Sequence, residues 1–320
     1  MKNGLEQVMG YLPLRLCAVL KEAAAADLSG LEEIRLRAGK PFMLCTGSGD
    51  FFFSEHRKFS SVLPEKPVMV WQNDISSCIS ALFENSVYAL NHELKNGYLT
   101  LKGGHRAGFC GRAVLSEGSL AGIKEFSSIN FRIAREHKGC GLKVERFLRT
   151  GPGRIQNALI ISPPQCGKTT LLRDLARILG GSVKVGIIDE RSEIAGCVHG
   201  IPSFDVGLRT DILDGCPKRQ GMEILLRAMS PDVIITDEIG NSGDREALMA
   251  AVNAGAGVVA SAHGYGLGPG TGRREVEEMI AGGLFGRIII LGRSQGPGTV
   301  EEVLDGRDRS VLYRRDGYVA

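Results

Sequence analysis

The segment ISPPQCGKTT, residues 161–170, constrains the fold of this chain more than any other feature. It nearly matches the phosphate-binding loop G-x-x-x-x-G-K-[ST], in which backbone N–H groups at a helix N-terminus hold phosphates. The last three residues of the pattern are present, whereas Ser162 stands at the first glycine and Gln165 at a position often held by glycine. The apolar run NALIIS precedes the loop and the helical pattern KTTLLRDLARILG follows it. This strand–loop–helix context favours an intact nucleotide site over a vestigial one.

The loop pattern also assigns roles to its residues. Lys168 is expected to reach the β- and γ-phosphates of ATP, and the hydroxyl of Thr169 is expected to bind Mg²⁺. The residues predicted to bind the nucleotide are Ser162, Pro163, Pro164, Gln165, Cys166, Gly167, Lys168, Thr169 and Thr170.

A second motif, PDVIITDEIG at 231–240, is an apolar strand that ends in two carboxylates. Asp237 is expected to hold the Mg²⁺ that bridges the β- and γ-phosphate oxygens. Glu238 is expected to polarise the attacking water as a general base or orienting group. The alternative is a carboxylate pair that merely ends a strand, but the order of the loop and this motif argues against it.

Two further strand ends carry polar residues, in GIIDERSEI at 186–194 and VVASAHG at 258–264. The carboxyl ends of strands in open α/β sheets are where ligands bind. Glu190 and His263 are therefore candidate catalytic residues, with His263 placed to sense the γ-phosphate or to signal to a neighbouring subunit. The alternatives are a salt-bridged strand end and a structural histidine.

The rhythm of strands and helices divides the chain into two domains. Residues 146–320 alternate apolar strands with helices, which predicts a mostly parallel sheet covered on both faces. Residues 1–145 lack this rhythm and read as a smaller α+β domain, with helical patterns at 12–26 and 74–97 and short strands and a hairpin beside them. The boundary is placed in the basic stretch 131–154, which ends in the loop signal TGPG.

Composition excludes several classes of protein. The net charge of +3 is too small to imply nucleic acid by itself. No apolar run approaches the roughly 20 residues that span a bilayer, and the N-terminus lacks the apolar core of a signal peptide. The eight cysteines are scattered singly without a metal-binding spacing, which indicates reduced thiols in a cytoplasmic protein.

The order of these motifs resembles the type II/IV secretion ATPase superfamily of RecA-like motors, in the branch that acts at stage III of endospore formation. The segment RTDILDGCPKRQGMEILLRAMSPDVIITDEIG, the following SAHG and the N-terminal GGHRAGFCGRAV carry the resemblance. It implies a RecA-like P-loop NTPase core that uses ATP and Mg²⁺. It also implies a homo-oligomeric ring, expected to be a hexamer, held at the membrane by an integral membrane protein of the sporulation secretion apparatus. Asn241 departs from the pattern, because an arginine commonly follows DEIG.

The same resemblance implies that arginines of the N-terminal domain reach the nucleotide. A positive charge beside the transferring phosphate accelerates phosphoryl transfer by several orders of magnitude. Arg112 and Arg132 are the expected catalytic cations from that domain, and Arg191 and Arg209 are the candidates within the core. The alternative is a solvated basic face.

Two other functions remain open. A nucleic-acid-dependent ATPase motor would use the basic stretch 131–154, but only Phe131 and Phe147 could stack on bases there, so nucleic acid is not an expected partner. A nucleotide-gated scaffold with negligible turnover is kept open by Ser162 and Gln165.

Overall fold

The chain forms two compact units, Met1–Arg135 and Glu136–Ala320. Each unit contains buried apolar clusters of its own. The computed structural model describes residues 2–23, 30–56, 59–83, 97–116, 119–134, 136–151, 154–267 and 274–317.

The first unit combines helices with a seven-stranded sheet. Its described helices are α1 (Lys2–Met9), α2 (Leu14–Ala23) and α3 (Gln72–Phe83). Its described strands are β1 (Leu31–Arg37), β2 (Lys40–Pro41), β3 (Met43–Thr46), β4 (Gly49–Phe53), β5 (Phe59–Ser60), β6 (Met69–Val70), β7 (Tyr98–Leu101), β8 (His105–Ser116) and β9 (Ser119–Arg132). The sheet runs β5-β4-β3-β1-β9-β8-β7 with antiparallel neighbours, and β2 pairs with β6 separately.

The α+β pattern expected for this unit is present in the described residues. The helix expected at 12–26 is α2, and residues 24–26 lie outside the described part of the chain. The helix expected at 74–97 is α3 up to Phe83, and residues 84–96 lie outside the described residues. The strands on either side of the turn at Gly47 are β3 and β4, and the expected hairpin is β7 and β8.

The second unit is an eight-stranded sheet with helices packed on it. Its described helices are α4 (Leu142–Leu148), α5 (Lys168–Leu179), α6 (Lys218–Ala228), α7 (Ser242–Asn253) and α8 (Arg274–Ala281). Its described strands are β10 (Arg149–Gly151), β11 (Arg154–Ile155), β12 (Ala158–Ser162), β13 (Val185–Asp189), β14 (Thr210–Asp214), β15 (Val233–Thr236), β16 (Gly257–His263), β17 (Arg287–Gly292), β18 (Thr299–Asp305) and β19 (Val311–Arg314). The sheet order is β14-β13-β15-β16-β12-β17-β18-β19.

This sheet is mostly parallel, as the sequence predicts. Neighbours from β14 to β17 run parallel, while β18 and β19 add an antiparallel edge. Side chains alternate between its two faces: Ile160 joins one buried cluster with α5, whereas Leu159 and Ile161 join another with α6, α7 and α8. Both faces are therefore covered, and the carboxyl ends of the parallel strands meet at one edge.

The division between the units lies before the expected boundary at 145/146. That boundary falls within α4, whose Val144 and Leu148 are fully buried in the same cluster as residues of α5. The N–H groups of Gly139 and Gly141 also donate to the carboxylate of Asp174 on α5, at 2.8 and 2.7 Å. The basic stretch therefore packs with the second unit from Glu136 onward, because it contains apolar positions that its charge obscures.

Candidate functional site

The loop between β12 and α5 has the backbone of an anion-binding turn. Gly167 begins α5 with φ +82° and its Cβ position would lie 3.0 Å from the Cα of Gly298, so only glycine fits there. Gln165 also adopts a left-handed conformation, with φ +59°. A non-glycine residue at such an angle is strained, which explains why glycine is common at that position. The first N–H groups of α5 have no acceptor within the helix, as at any helix N-terminus, and therefore suit an anion.

Lys168 is buried against the loop, with only 7% of its surface exposed. Its Nζ donates to the carbonyl and hydroxyl oxygens of Ser162, both at 3.2 Å, and to the carbonyl oxygen of Pro163 at 3.3 Å. The Nδ1 atom of His263 lies 3.0 Å from the same nitrogen. Burial lowers the pKa of Lys168, and the negative charge of Asp237 opposes that shift. These neutral acceptors compensate the ammonium only in part, so an anion in the loop would stabilise it further.

Thr169 and Asp237 meet at the same edge of the sheet. The hydroxyl of Thr169 donates to Oδ2 of Asp237 at 2.7 Å, and the hydroxyl of Ser261 donates to Oδ1. A hydroxyl and a carboxylate are the hard oxygen ligands that Mg²⁺ prefers. Among the described residues, no group of three or more His, Cys, Asp or Glu side chains could hold a metal ion by itself. The donor set therefore fits an ion that shares its remaining ligands with phosphates and water.

Glu238 is fixed beside this pair by contacts on two sides. Its backbone has φ +48°, and its N–H donates to the Ser261 hydroxyl at 3.1 Å. Arg191 Nη1 lies 2.5 Å from Oε2, and His263 Nε2 lies 3.8 Å from Oε1. His263 thus lies between Lys168 and Glu238, which places the predicted histidine in contact with both predicted charged groups.

The residues of the acidic strand end DERSEI contact different partners. Asp189 is buried and accepts the N–H groups of Glu193 and Ala195 at 2.7 and 2.8 Å, so it fixes the following turn. Burial raises the pKa of Asp189 even though these bonds favour its charged form. Glu190 pairs with Lys218 at the start of α6. Among these residues it is Arg191 that contacts Glu238, whereas the catalytic role of Glu190 stays a prediction.

The two N-terminal arginines are exposed on the sheet of the first unit. Arg112 on β8 lies 3.5 Å from Glu125, and Arg132 at the end of β9 lies 3.6 Å from Glu33. Their side chains are 68% and 64% exposed. Both are therefore available to a partner, and their catalytic role stays a prediction.

The structure adds residues that the sequence reasoning missed. Arg293 Nη2 donates to the carbonyl oxygen of Gln165 at 3.0 Å and lies 3.4 Å from its Oε1. Ser261 supplies the hydroxyl that contacts both Asp237 and Glu238. Arg293 directly follows the apolar strand β17 at the same sheet edge, and that position is the signal that could have identified it.

Comparison with known proteins agrees with this geometry. The family model described as sporulation stage III, protein AA, matches residues 2–311. The chain belongs to that family. Stage III sporulation protein AA of Bacillus subtilis (strain 168) is 38% identical to this family member over 319 residues, which are 98% of this chain and 99% of that protein. Protein SEEDLING PLASTID DEVELOPMENT 1 of Arabidopsis thaliana is 35% identical over 140 residues, 42% of this chain and 19% of that protein.

Solved structures identify the fold of this sporulation stage III, protein AA, family member as that of RecA-like secretion ATPases. The ATPase DotB of Legionella pneumophila matches with a TM-score of 0.52 at 15% identity, over 87% of this chain and 76% of that chain. The pilus retraction motor PilT, solved with bound ADP, matches with a TM-score of 0.52 at 16% identity, over 85% and 76%. The predicted fold class and the expected sporulation family are confirmed. None of the described helices has the length and apolar composition that a membrane span requires.

Proposed function

We propose that this chain is a Mg²⁺-dependent ATPase that works as a ring motor of a secretion-type apparatus during endospore formation. The observation that carries the proposal is the meeting of Thr169 and Asp237, 2.7 Å apart, beside the buried ammonium of Lys168. These three groups have the chemistry that a nucleoside triphosphate and its metal require, and they come from two separate segments of the chain.

The proposed binding step exchanges the contacts of Lys168. Its ammonium leaves the carbonyl oxygens of Ser162 and Pro163 and donates to the β- and γ-phosphate oxygens, while the loop N–H groups bind the phosphates. Thr169 and Asp237 would hold Mg²⁺, which would neutralise part of the charge on the triphosphate. The desolvated ammonium exchanges neutral acceptors for charged ones in this way, so the exchange favours binding.

The proposed chemical step uses Glu238. Its carboxylate, once released from Arg191, accepts a hydrogen bond from the attacking water and takes its proton as the bond to the γ-phosphorus forms and the bond to the β-γ bridging oxygen breaks. His263, which lies between Lys168 and Glu238, couples the position of this carboxylate to occupancy of the phosphate site. Glu190 is proposed to support the same acidic edge through its pair with Lys218.

A ring, proposed to be a hexamer, would complete the site from a neighbouring subunit. The proposed contributions are Arg112 and Arg132, whose exposed guanidinium groups would neutralise charge on the γ-phosphate in the transition state. The likeness in fold to a pilus retraction motor supports a mechanical role. The proposed location is the cytoplasmic face of the membrane, with an integral membrane protein of the sporulation secretion apparatus as partner.

The decisive experiment measures ATP hydrolysis and mass in solution on the same purified protein. Specific activity that rises with protein concentration as the mass rises supports a ring, and Lys168→Ala should abolish both nucleotide binding and hydrolysis. Mixing inactive Lys168→Ala subunits with inactive Arg132→Ala subunits should restore part of the activity, because some interfaces then pair an intact loop with an intact arginine. A concentration-independent rate from a monomer, with no rescue on mixing, contradicts the ring.

A second candidate function is a nucleotide-gated scaffold with negligible turnover. It is favoured by the contact between Arg191 and Glu238 at 2.5 Å, which occupies an oxygen of the proposed water-orienting group. Single-turnover hydrolysis with enzyme in excess separates the two functions, since a scaffold would bind ATP and release it unchanged. Nucleic acid is not a proposed partner, because Lys138 and Arg149 of the basic stretch pair with Asp205 and Glu145.

A further inference from the structure

The connection between β17 and β18, residues 293–298, lies directly against the nucleotide loop. This segment is called the β17–β18 loop below. Arg293 at its start donates to the carbonyl oxygen of Gln165 at 3.0 Å. Gly298 at its end is so close to Gly167 that a side chain on Gly167 would meet its Cα at 3.0 Å. The two residues of the nucleotide loop that have positive φ, Gln165 and Gly167, are thus each close to the β17–β18 loop.

Gln165 is the residue that needs such support. Its φ of +59° lies in the left-handed region, which glycine adopts freely and other residues adopt at a cost. The turn at Gln165 sets the direction of its own carbonyl group and of the N–H groups that follow it. A guanidinium that donates to this carbonyl, and that lies 3.4 Å from the side-chain Oε1, favours the left-handed turn over the alternatives.

The β17–β18 loop is itself held by a buried carboxylate. Glu301 is 2% exposed and accepts the N–H of Ser294 at 3.1 Å, the hydroxyl of Ser294 at 2.8 Å and Nε of Arg315 at 2.7 Å. The hydroxyl of Thr299 closes the turn by donating to the carbonyl of Gly296 at 2.7 Å. The backbone that carries Arg293 is therefore fixed from within, so its guanidinium can act as a support.

We propose that Arg293 is a positioning residue of the nucleotide site, because it holds Gln165 in the left-handed conformation. The N–H groups of the loop are then already directed at the positions that the phosphates of ATP occupy on binding. The inference rests on the proposed function, since it concerns how the same site binds ATP. It also accounts for a loop that works without glycine at position 165, because the support replaces the conformational freedom that glycine would supply.

The test is a double-mutant cycle with a fluorescent ATP analogue and Mg²⁺. Arg293→Ala should weaken binding about tenfold, which is typical for the loss of a hydrogen bond from a charged donor. Gln165→Gly should bind within about twofold of the wild type, because glycine needs no support. The double variant should bind like Gln165→Gly alone, since removing the strain removes the need for Arg293. Arg307→Ala, an exposed arginine in the β18–β19 turn, is the matched control and should change nothing.

Two further readouts separate positioning from other roles. Arg293→Ala should raise KM for ATP with little change in kcat, whereas a catalytic arginine would lower kcat. Without nucleotide, urea unfolding should show the same coupling, with Arg293→Ala lowering the midpoint less in the Gln165→Gly background. Equal loss in both backgrounds, or unchanged binding by Arg293→Ala, overturns the inference. A wild-type protein that fails to bind the analogue overturns the proposed function instead, and the unfolding cycle still tests the support.

Discussion

Arg191→Ala is expected to accelerate ATP hydrolysis. The guanidinium of Arg191 lies 2.5 Å from Oε2 of Glu238, which is the carboxylate proposed to orient the attacking water. While this pair is formed, the guanidinium occupies one oxygen of the carboxylate that is proposed to orient the water. In the proposed mechanism each turnover must release Glu238 from Arg191, and a variant without the guanidinium leaves only the 3.8 Å contact with His263 among the described contacts of this carboxylate.

The size of the effect follows from the exposure of the pair. The Arg191 side chain is 63% exposed and that of Glu238 is 22% exposed, so water screens their attraction. Pairs of this kind contribute about 1 kcal/mol or less, which corresponds to about a fivefold preference for the paired state. We therefore expect kcat to rise by no more than about fivefold. For the same reason the free energy of unfolding should fall by less than about 1 kcal/mol.

The assay is steady-state phosphate release at saturating ATP, with Lys168→Ala as the blank. Arg191→Lys keeps a positive charge near Glu238 and should therefore give a rate between that of the wild type and that of Arg191→Ala. Arg219→Ala removes an exposed ion pair with Glu246 at 3.4 Å and should leave kcat unchanged. A tenfold or greater fall in kcat for Arg191→Ala, with ATP affinity retained, would falsify the restraint and identify Arg191 as a cation that stabilises the transition state.

Three other outcomes are expected. Glu238→Gln should bind ATP normally but hydrolyse it at least about a hundredfold more slowly, and a wild-type rate in a single-turnover assay would exclude Glu238 as the water-activating group. Asp174→Ala should lower the free energy of unfolding in urea by about 3 kcal/mol, because the buried N–H of Gly141 and the part-buried N–H of Gly139 lose a charged acceptor, whereas the exposed Asp316→Ala should have no measurable effect. Burial lowers the pKa of His105 to about 4, whereas the pKa of an unfolded histidine is about 6.5. As pH falls, the unfolded state therefore takes up the proton first, and the free energy of unfolding falls between about pH 6.5 and pH 4. The Tm of the wild type should drop more between pH 7 and pH 5 than that of His105→Gln, and equal drops would contradict the assignment.

The parallel core and the nucleotide loop could be predicted because each depends on local sequence. The strands ALIIS, VGIID and VIIT are buried at every position, which produces apolar runs that are visible without any partner. The loop and the acidic strand end have fixed residue types at fixed spacing, and Thr169 beside Lys168 does meet Asp237 at one sheet edge, while the roles assigned to these residues stay predictions. The contact between Thr169 and Asp237 follows from that placement.

Elements that depend on distant partners were not predicted. β14 is half-buried at all five positions and shows neither an apolar run nor alternation. β1 and β9 contain charged residues and become strands because they pair with each other. Contacts made by long polar side chains were missed for the same reason: Glu190 turns to Lys218, Arg191 to Glu238 and Arg293 to Gln165, and no local pattern specifies those choices.

The register of the first sheet has a consequence for synthesis of the chain. In the sheet, β1 lies between β3 and β9, and Ile34 is paired with Phe131. Residues 35–130 therefore lie in the sequence between two positions that are neighbours in the sheet. On the ribosome, α1, α2 and the β3–β4 hairpin emerge before β9. The edge of β1 that pairs with β9 stays unpaired until β9 leaves the exit tunnel. Such long-range pairing is slow because the chain loses the entropy of closing the loop before any stabilising contact forms. Slower translation well after residue 135, once β9 has left the exit tunnel, would therefore give the nascent N-terminal unit time to form this pairing.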